Sequence, residues 1–322
     1  MKTNATIVIP TFNGEEFLGE VIEAVFNQKT AKTYELLIID SGSSDGTLDI
    51  IAKYPKIRLH QIPNKEFGHG RTRNLAVEMV DSEFVVFLTQ DATPSHERWL
   101  DYLLEPFTIN SKVGCVLGKQ IPRAHCFVTL KREVAQVFKS FGDDGSISLQ
   151  RKDDLTTQLG ITNNFLSDTN SAVRKSIATK VPFQDVNYAE DQALGIDMLD
   201  RGYFKAYAPL GSVLHSHDYP LSKYFKRKFD EYMGLKESTG YVAQANRKEL
   251  ILGSLKSTML DYAFLFRDRE FTLAEKIHDF FLAPFYNFAT RRAIRVAAKT
   301  QAGGKKHDKL SLESKTRKQV QR

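Results

Sequence analysis

The sequence predicts an α/β protein in which a mostly parallel sheet carries helices on both faces and is followed by a helical C-terminal region. Three observations support this. Short apolar runs recur through the first 120 residues. Segments with apolar residues at helical spacing separate them, as in parallel sheets covered on both faces. From Ser222 onward the pattern is helical, with aromatic and basic positions alternating in SKYFKRKFDEYMGLK.

The elements of the first part follow in a regular order. We predict strands in ATIVIPTF, YELLIID, IRLHQIP and EFVVFLT, and helices in EEFLGEVIEAVFNQ, TLDIIAKY and GRTRNLAVEMV. Residues 121–160 are predicted to form a mobile loop or an insertion, because DDGSISLQRKDDL is polar and contains Gly and Ser. A strand in NFLSDTNSAVRK, a helix near AEDQALGIDMLDRG and an edge strand with a loop in KAYAPLGSVLHSHDY complete the sheet region.

Length and charge divide the chain. Its 322 residues suffice for one large domain with a smaller appendage, and the net charge is +6. The segment from Pro284 onward holds eleven Lys or Arg against two acids, so the basic character belongs to the tail. We therefore expect an α/β domain over 1–220, a helical region over 221–300 and a basic, disordered tail over 301–322.

The composition also predicts where the protein works. Two cysteines, Cys115 and Cys126, are too few for a disulfide framework and indicate a reducing compartment. The apolar N-terminal run is too short for a secretory signal, and no window reaches the length that spans a bilayer. We expect a cytoplasmic protein that can lie peripherally on the inner face of the membrane.

The segment FTLAEKIHDFFLAPFYNFATRRAIRVAAK combines aromatic residues with a following cluster of arginines. This composition suits an amphipathic segment at an anionic membrane surface. Packing of the aromatic residues on the catalytic domain or in a homo-oligomer explains it equally well. Both alternatives remain open at the level of sequence.

Polar side chains follow the predicted parallel strands where each strand ends. Thr11 follows the first strand, Asp40 and Asp45 follow the second, and Asp91 follows the fourth. Carboxyl ends of parallel strands share one edge of a sheet, where ligands of such sheets bind. Asp, Ser and Gly are also ordinary turn formers, but IIDSGSSDG is longer than a minimal turn.

The strand-end groups favour a nucleoside diphosphate over other phosphate ligands. The sequence has neither a G-x-G-x-x-G after the first strand nor a Walker-type lysine motif. A carboxylate such as Asp40 can accept a hydrogen bond from the imide N–H of uracil or thymine. Asp91 can hold a divalent cation, since Mg²⁺ typically binds one or two carboxylates together with phosphate oxygens.

Five separated motifs carry a family resemblance. VIPTFNG, IIDSGSSDGT, FGHGRTRNLA, FLTQDATP and AEDQALG resemble, in this order and spacing, the inverting nucleotide-sugar glycosyltransferases of family two. Their fold is GT-A, a Rossmann-like sheet, and the resemblance covers residues 5–220. HGRTRN, FLTQDA, SDTNSAVRK and HSHDY are similar to bacterial rhamnosyltransferases that use dTDP-L-rhamnose.

The resemblance implies roles for individual residues. Asp40 would contact the pyrimidine, with Thr11 and Phe12 beside the base. Arg73 would approach the nucleotide or diphosphate, and Gln90 would also contact the nucleotide sugar. Asp91 would coordinate Mg²⁺ or Mn²⁺ between the phosphates. Thr89 stands where the family commonly has a first acid, which leaves the usual ribose contact without its carboxylate.

An inverting transfer needs a base for the acceptor hydroxyl, and a carboxylate is the simplest one. AED at a helix start places two acids where the helix dipole favours anions, and the family pattern assigns the base to Asp191. Acids in a first helical turn are also common without any catalytic role. His217 is the candidate second metal ligand, with His215 as the alternative. Asp168 and Asn170 are candidate acceptor contacts, although an Asx turn would explain them too.

The predicted function is a metal-dependent inverting glycosyltransferase that builds bacterial surface polysaccharide on a glycan or polyprenyl-linked acceptor, with dTDP-rhamnose as the favoured donor. A nucleotidyltransferase acting on sugar phosphates is the first alternative, but PTFNGEEF lacks the Gly-rich basic loop expected of it. A basic nucleic-acid-binding protein is the second, because a basic tail attracts nucleic acid without specificity. No specific nucleic-acid partner is predicted.

Overall fold

The computed structural model describes residues 3–142, 144–152, 165–186, 188–216, 218–243 and 246–312. The chain forms two compact units. Unit one comprises Met1–Ile121, Val137–Asp185 and Glu190–His215, and unit two comprises Pro122–Gln136, Val186–Ala189 and Ser216–Arg322. The predicted three-part division at residues 220 and 300 stays a prediction.

Unit one is built on a single sheet, which has nine strands within the described residues. The strands are β1 (Ala5–Thr11), β2 (Tyr34–Asp40), β3 (Arg58–Gln61), β4 (Phe84–Leu88), β5 (Thr93–Pro94), β6 (Val113–Ile121), β7 (Ser148–Gln150), β8 (Asn170–Arg174) and β9 (Phe204–Leu214). Their order is β3-β2-β1-β4-β8-β6-β9-β5, with β7 paired to β9. Strands β1 to β4 pair in parallel, whereas β8 runs antiparallel to both β4 and β6.

Helices occupy most of the connections and most of unit two. They are α1 (Leu18–Phe26), α2 (Thr47–Ala52), α3 (His69–Met79), α4 (Trp99–Leu104), α5 (Pro106–Ile109), α6 (Val128–Lys139), α7 (Lys175–Ala178), α8 (Glu190–Asp200), α9 (Leu221–Thr239), α10 (Ser254–Arg267), α11 (Leu273–Ala298) and α12 (Lys305–Leu310). A π-helical turn, Glu249–Gly253, precedes α10. The predicted α/β sheet with a helical C-terminal region is confirmed.

The core of unit one forms where the apolar strands meet the apolar faces of the helices. Ile7 and Ile9 of β1 and Ile38 of β2 are fully buried beside Val21 and Ile22 of α1. Continuous apolar strands are expected when both faces of a parallel sheet are covered. The burial holds the carboxyl ends of β1, β2 and β4 along one edge, which is where the candidate site forms.

Two predictions of local structure were wrong. Residues 128–139 form α6 instead of a loop. VTLKREVAQVFK has apolar residues at the spacing of an amphipathic helix, whereas the loop was predicted from the polar segment DDGSISLQRKDDL that follows it. Strand β9 lies inside the sheet between β6 and β5, although an edge strand was predicted. Its Pro209 falls where the β6–β9 ladder shifts register between Gly118 and Gln120, so the missing N–H interrupts no regular pairing.

The tail also differs from its prediction over its first part. Residues 305–310 form α12, with His307 buried and its ring 5.9 Å from that of Phe229. The backbone N–H of Leu312 donates to Asp230 Oδ2 at 2.8 Å. Apolar and hydrogen-bonded contacts therefore order a segment whose composition alone predicted disorder, and residues 313–322 lie outside the described part.

Within the described residues, no helix is long and apolar enough to cross a membrane.

Candidate active site

The first two strand ends are joined through Asp40. Thr11 and Asp40 are neighbours across the β1–β2 ladder, and Thr11 Oγ1 donates to Asp40 Oδ2 at 3.0 Å. The backbone N–H groups of Gly42 and Ser43 both donate to Asp40 Oδ1 at 3.0 Å. Ser43 Oγ donates to Oδ2 at 2.5 Å. Asp40 thus shapes the loop after β2, and Gly42 takes the positive φ of +88° that this turn requires.

These contacts constrain the predicted role of Asp40. A carboxylate offers about four lone-pair sites, and four donors of the chain already use them. A pyrimidine imide could bond to Asp40 only if the hydroxyl of Thr11 or Ser43 turned away. The predicted base contact remains a prediction, and the contact that the structure describes is support of the loop.

Gln90 clamps the loop after β1 to the end of β4. Its Oε1 accepts from the backbone N–H of Phe12 at 2.9 Å, and its Nε2 donates to the carbonyl of Phe12 at 3.2 Å. Gly14 is needed next to this clamp, because a Cβ there would lie 2.5 Å from Gln90 Oε1. Gln90 therefore positions Phe12, and its predicted contact with the nucleotide sugar would have to be made alongside these bonds.

Asp91 lies beside His215, the residue that directly follows β9. His215 Nε2 lies 3.6 Å from Asp91 Oδ1, and both side chains are mostly buried. The backbone N–H of His215 donates to the carbonyl of Ile121, and its Nδ1 lies 3.2 Å from Gln120 Oε1, which orients the ring. Thr89 adds a buried hydroxyl that has no hydrogen-bond partner among the described residues.

The pair Asp91 and His215 has the donor chemistry of a divalent-cation site. A carboxylate oxygen suits Mg²⁺ and Mn²⁺, and an imidazole nitrogen suits transition metals. Two ligand atoms 3.6 Å apart can contact one ion. His215, the alternative in the sequence prediction, is thus placed beside Asp91, whereas His217 lies outside the described residues.

Arg73 of α3 is buried between two carboxylates. Its Nη1 donates to Glu190 Oε1 at 2.6 Å, and its Nε lies 2.9 Å from Asp168 Oδ2. The carbonyl of His69 accepts a further bond from Nη1 at 3.1 Å. In the structure Nη1 and Nε of Arg73 face these acids, and the predicted approach of Arg73 to the diphosphate stays a prediction. The partner residues lie far from Arg73 in sequence, so no local pattern could reveal the pairing.

Three carboxylates gather around this arginine. Asp168, Glu190 and Asp191 each offer an oxygen within 4.8 Å of the others. The backbone N–H of Asp168 donates to Asp191 Oδ2 at 3.2 Å, and Ser171 Oγ donates to Asp168 Oδ1 at 2.6 Å. One arginine cannot balance three anions, so the cluster favours the uptake of a proton or a cation.

The electrostatics of the cluster favour the protonated form of Asp191. Burial raises its pKa well above the ordinary range of Asp, and the neighbouring charges of Glu190 and Asp168 raise it further. Burial also raises the pKa of Asp168 to about 6, although Arg73 acts in the opposite direction. Asp191 lies in the first turn of α8 and is less buried than Asp168.

Asn170 is an internal support of the sheet. Its Nδ2 donates to the carbonyls of Gly211 at 2.7 Å and Lys119 at 3.1 Å, and its Oδ1 accepts from Trp99 Nε1 at 3.0 Å. It is fully buried. Asp168, at 1% exposure, is likewise enclosed. The structure therefore gives both predicted acceptor residues internal partners, and their acceptor role stays a prediction.

A backbone hydrogen bond connects the two clusters. The N–H of Thr89, two residues before Asp91, donates to the carbonyl of Thr169, the residue after Asp168, at 3.4 Å. The Phe12–Gln90 clamp ties the loop after β1 to the same strand end. The polar residues predicted from separate motifs thus lie along one edge of the sheet.

Residues 6–181, more than half of the chain, match the model of the family described as Glycosyl transferase family 2. The chain belongs to this family. It is therefore a glycosyltransferase, and the predicted family is confirmed. The alternatives of a nucleotidyltransferase and a nucleic-acid-binding protein gain no support.

Two O-antigen chain rhamnosyltransferases are similar to this chain over most of its length. The chain is 31% identical over 228 residues to the O-antigen chain rhamnosyltransferase RfbN of Salmonella typhimurium, covering 70% of each protein. It is 34% identical over 230 residues to the O-antigen chain rhamnosyltransferase WbaN of Salmonella anatum, again covering 70% of each.

The fold is shared with a solved glycosyltransferase. The mannosyltransferase PcManGT from Pyrobaculum calidifontis, solved in complex with GDP-Man and Mn²⁺, superimposes with a TM-score of 0.59 at 15% identity. The match covers 93% of this chain and 86% of PcManGT. This family 2 chain accordingly has the predicted GT-A fold.

Proposed function

We propose that this glycosyltransferase moves L-rhamnose from dTDP-L-rhamnose, with inversion, onto a hydroxyl of a glycan or lipid-linked acceptor in bacterial surface polysaccharide synthesis. The observation that carries the proposal is the cluster of Asp168, Glu190 and Asp191, in which Asp168 and Asp191 have raised pKa values and Asp191 lies at a helix N-terminus. The relatives RfbN and WbaN, both named as O-antigen chain rhamnosyltransferases, support rhamnose as the sugar.

Asp191 is the proposed base. It takes the proton of the acceptor hydroxyl while the acceptor oxygen bonds to the anomeric carbon. The bond from that carbon to the diphosphate breaks, and the diphosphate leaves with the electron pair. A carboxylate with a raised pKa is a better base near neutral pH than an ordinary one, provided that it is deprotonated.

Arg73 and its two partners position the base. Glu190 precedes Asp191 directly in the first turn of α8, and its bond to Arg73 fixes that turn against α3. Asp168 reaches Asp191 through its backbone N–H and is itself held by Arg73. The three residues act on the reaction through the orientation and charge of Asp191.

Asp91 and His215 are the proposed ligands of Mg²⁺ or Mn²⁺, since they supply an oxygen and a nitrogen donor at adjacent positions. When bound, such an ion neutralises charge that develops on the leaving diphosphate. The Asp168 cluster already holds Arg73, and the raised pKa values of Asp168 and Asp191 favour a proton there, so we assign the ion to Asp91 and His215.

The loops after β1 and β2 are the proposed nucleotide site. Thr11 and Phe12 lie at the end of β1, and Asp40 holds the neighbouring loop in its turn. Gln90 secures Phe12 from the side of β4. These contacts support a preformed site for a pyrimidine nucleotide, in which Asp40 acts mainly as a scaffold.

Donor identity tests the proposal. Thermal unfolding is followed with dTDP-rhamnose, UDP-glucose and GDP-mannose, each with and without Mn²⁺. Stabilisation by dTDP-rhamnose that exceeds the others and increases with Mn²⁺ is expected, because a ligand that binds only the folded state raises its stability. A response to another donor would replace rhamnose, and a response to none would overturn the proposal.

A further inference from the structure

Helices α10 and α11 of unit two expose large apolar side chains. Leu255, Met259 and Phe266 of α10 and Ile277, Phe281 and Phe285 of α11 are all more than half exposed, with Phe281 at 66% and Phe285 at 58%. These six side chains are called the apolar hairpin face below. Single exposed apolar residues are normal on soluble proteins, but a group of this size on one helix pair marks an interaction surface.

The opposite sides of the same helices are polar or small. Asp261 of α10 is fully buried and accepts from Thr129 Oγ1 at 2.7 Å, Arg132 Nε at 2.5 Å and Asn287 Nδ2 at 2.5 Å. The buried residues of α11 include Ala283, Asn287, Thr290 and Ala293. Most inward side chains of the two helices are thus polar or small, with Leu265, Tyr286 and Ile294 as the large exceptions. Six large apolar side chains point outward, which departs from the usual pattern of a surface helix.

Aromatic contacts join the two helices on the outward side. The rings of Tyr262 and Phe280 stack with centroids 4.3 Å apart. Phe280 also contacts Phe281 and Phe266, with centroids at 5.6 Å and 6.3 Å. The apolar hairpin face is therefore one surface that spans α10 and α11.

The charges around this surface are mainly basic. Lys256, Arg267 and Arg292 are exposed on the same two helices. Of the nearby acids, Asp268 and Glu270 contact Lys131, and Glu275 caps α11 through Thr272, whereas Glu249 before α10 is exposed. An anionic partner is favoured, because basic side chains next to an apolar face attract it electrostatically.

We propose that the apolar hairpin face lies in the headgroup region of an anionic phospholipid bilayer. Aromatic and aliphatic side chains would enter the boundary of the acyl chains, and the basic residues would stay with the lipid phosphates. A second copy of this chain fits less well, since two such faces would bring like charges together around their contact. This inference rests on the proposed function in one respect: a lipid-linked acceptor would lie at the same membrane surface.

Vesicle flotation with the full chain tests this inference without donor or acceptor, so its failure would leave the proposed function intact. The protein is expected to float with vesicles of phosphatidylcholine mixed with phosphatidylglycerol. It should bind vesicles of phosphatidylcholine alone more weakly, and added salt should release it. The double variant F281S/F285S should bind the mixed vesicles at least about tenfold more weakly, because each buried Phe contributes strongly to partitioning.

The matched control is the double variant I109S/L210S, which removes two apolar side chains of similar exposure, 54% and 52%, from unit one. It should float like the unchanged protein. Thermal unfolding of both variants shows that they are folded. Equal flotation of F281S/F285S and the unchanged protein would overturn the inference. So would a protein that fails to float and instead forms a dimer, seen by analytical ultracentrifugation, that F281S/F285S dissociates.

Discussion

Arg73 Nη1 lies 2.6 Å from Glu190 Oε1, in a contact that is almost fully buried and links α3 to the first turn of α8. The same guanidinium also contacts Asp168. A buried charge that loses its partner is costly, because its desolvation is no longer offset. This contact therefore explains how three carboxylates can stay close together next to the proposed base.

Replacement of Arg73 by Met should destabilise the protein by about 3–5 kcal/mol, since Asp168 and Glu190 would remain buried without a counter-charge. Urea unfolding measures the change. The double variant R73M/E190Q should recover part of the loss, as it also removes one of the stranded anions. Equal stability of R73M and the unchanged protein would show that the contact contributes little.

The contribution of Asp168 to the free energy of unfolding should fall as pH rises from about 4 to about 6. The pKa of Asp168 is about 6 in the folded chain and about 3.9 when unfolded, so the folded state binds more protons in this range. Asp191, whose pKa is also raised, adds to the slope. Chemical unfolding at a series of pH values should show a smaller slope for D168N. An equal slope in D168N and the unchanged protein would contradict the raised pKa of Asp168.

The pH dependence of sugar transfer should respond to Glu190. Transfer requires deprotonated Asp191, so the transfer rate should rise with pH. The midpoint of this rising limb of the pH profile should lie above the usual pKa of Asp. E190Q removes a neighbouring negative charge and should move this limb to lower pH. The kcat/KM profile of both proteins is the measurement. D200N, at the other end of α8, is the control and should leave the limb in place.

Metal dependence should follow Asp91 and His215. D91N and H215A should each raise the Mn²⁺ concentration needed for half-maximal activity at least about tenfold, because each removes a proposed ligand. H60A and D49N replace residues of the same types elsewhere in unit one and serve as controls. Unchanged Mn²⁺ dependence in both D91N and H215A would place the cation site elsewhere.

Asn170 should matter for stability and not for acceptor affinity. N170A would leave Trp99 Nε1 and the carbonyls of Lys119 and Gly211 without their partner, and the free energy of unfolding should fall by about 2–4 kcal/mol. Urea unfolding and the acceptor KM separate the two roles. A raised KM with unchanged stability would restore the acceptor contact predicted from sequence.

Much of the sheet was predictable because local patterns determine it. YELLIID ends at Asp40 in both the prediction and the structure, since an apolar run followed by SGSSDG leaves little choice. Strand β6 was not predicted, and neither was the antiparallel direction of β8. Strand direction depends on long-range pairing that no local window contains.

The sequence predicted where the site residues lie in the fold better than it predicted which side chains they contact. The motifs placed Asp40 at the end of β2 and Asp91 after β4, and these two strands flank β1 in one parallel set. The hydrogen-bond partners of these side chains depend on geometry that the sequence does not contain. Asp40 pairs with Ser43 and Thr11, Arg73 with Glu190, and Asn170 with Trp99. A sequence shows which groups are available, whereas the fold decides which of them are already satisfied.

Asp191 offers the most direct test of the account, through dTDP-rhamnose binding and rhamnose transfer measured on the same D191N preparation. D191N should bind the donor within about twofold of the unchanged protein, and transfer should fall by about 10²–10⁴-fold, the usual contribution of a general base. Transfer that persists near its original rate, or donor binding that disappears together with transfer, would contradict the assignment of Asp191 as the base.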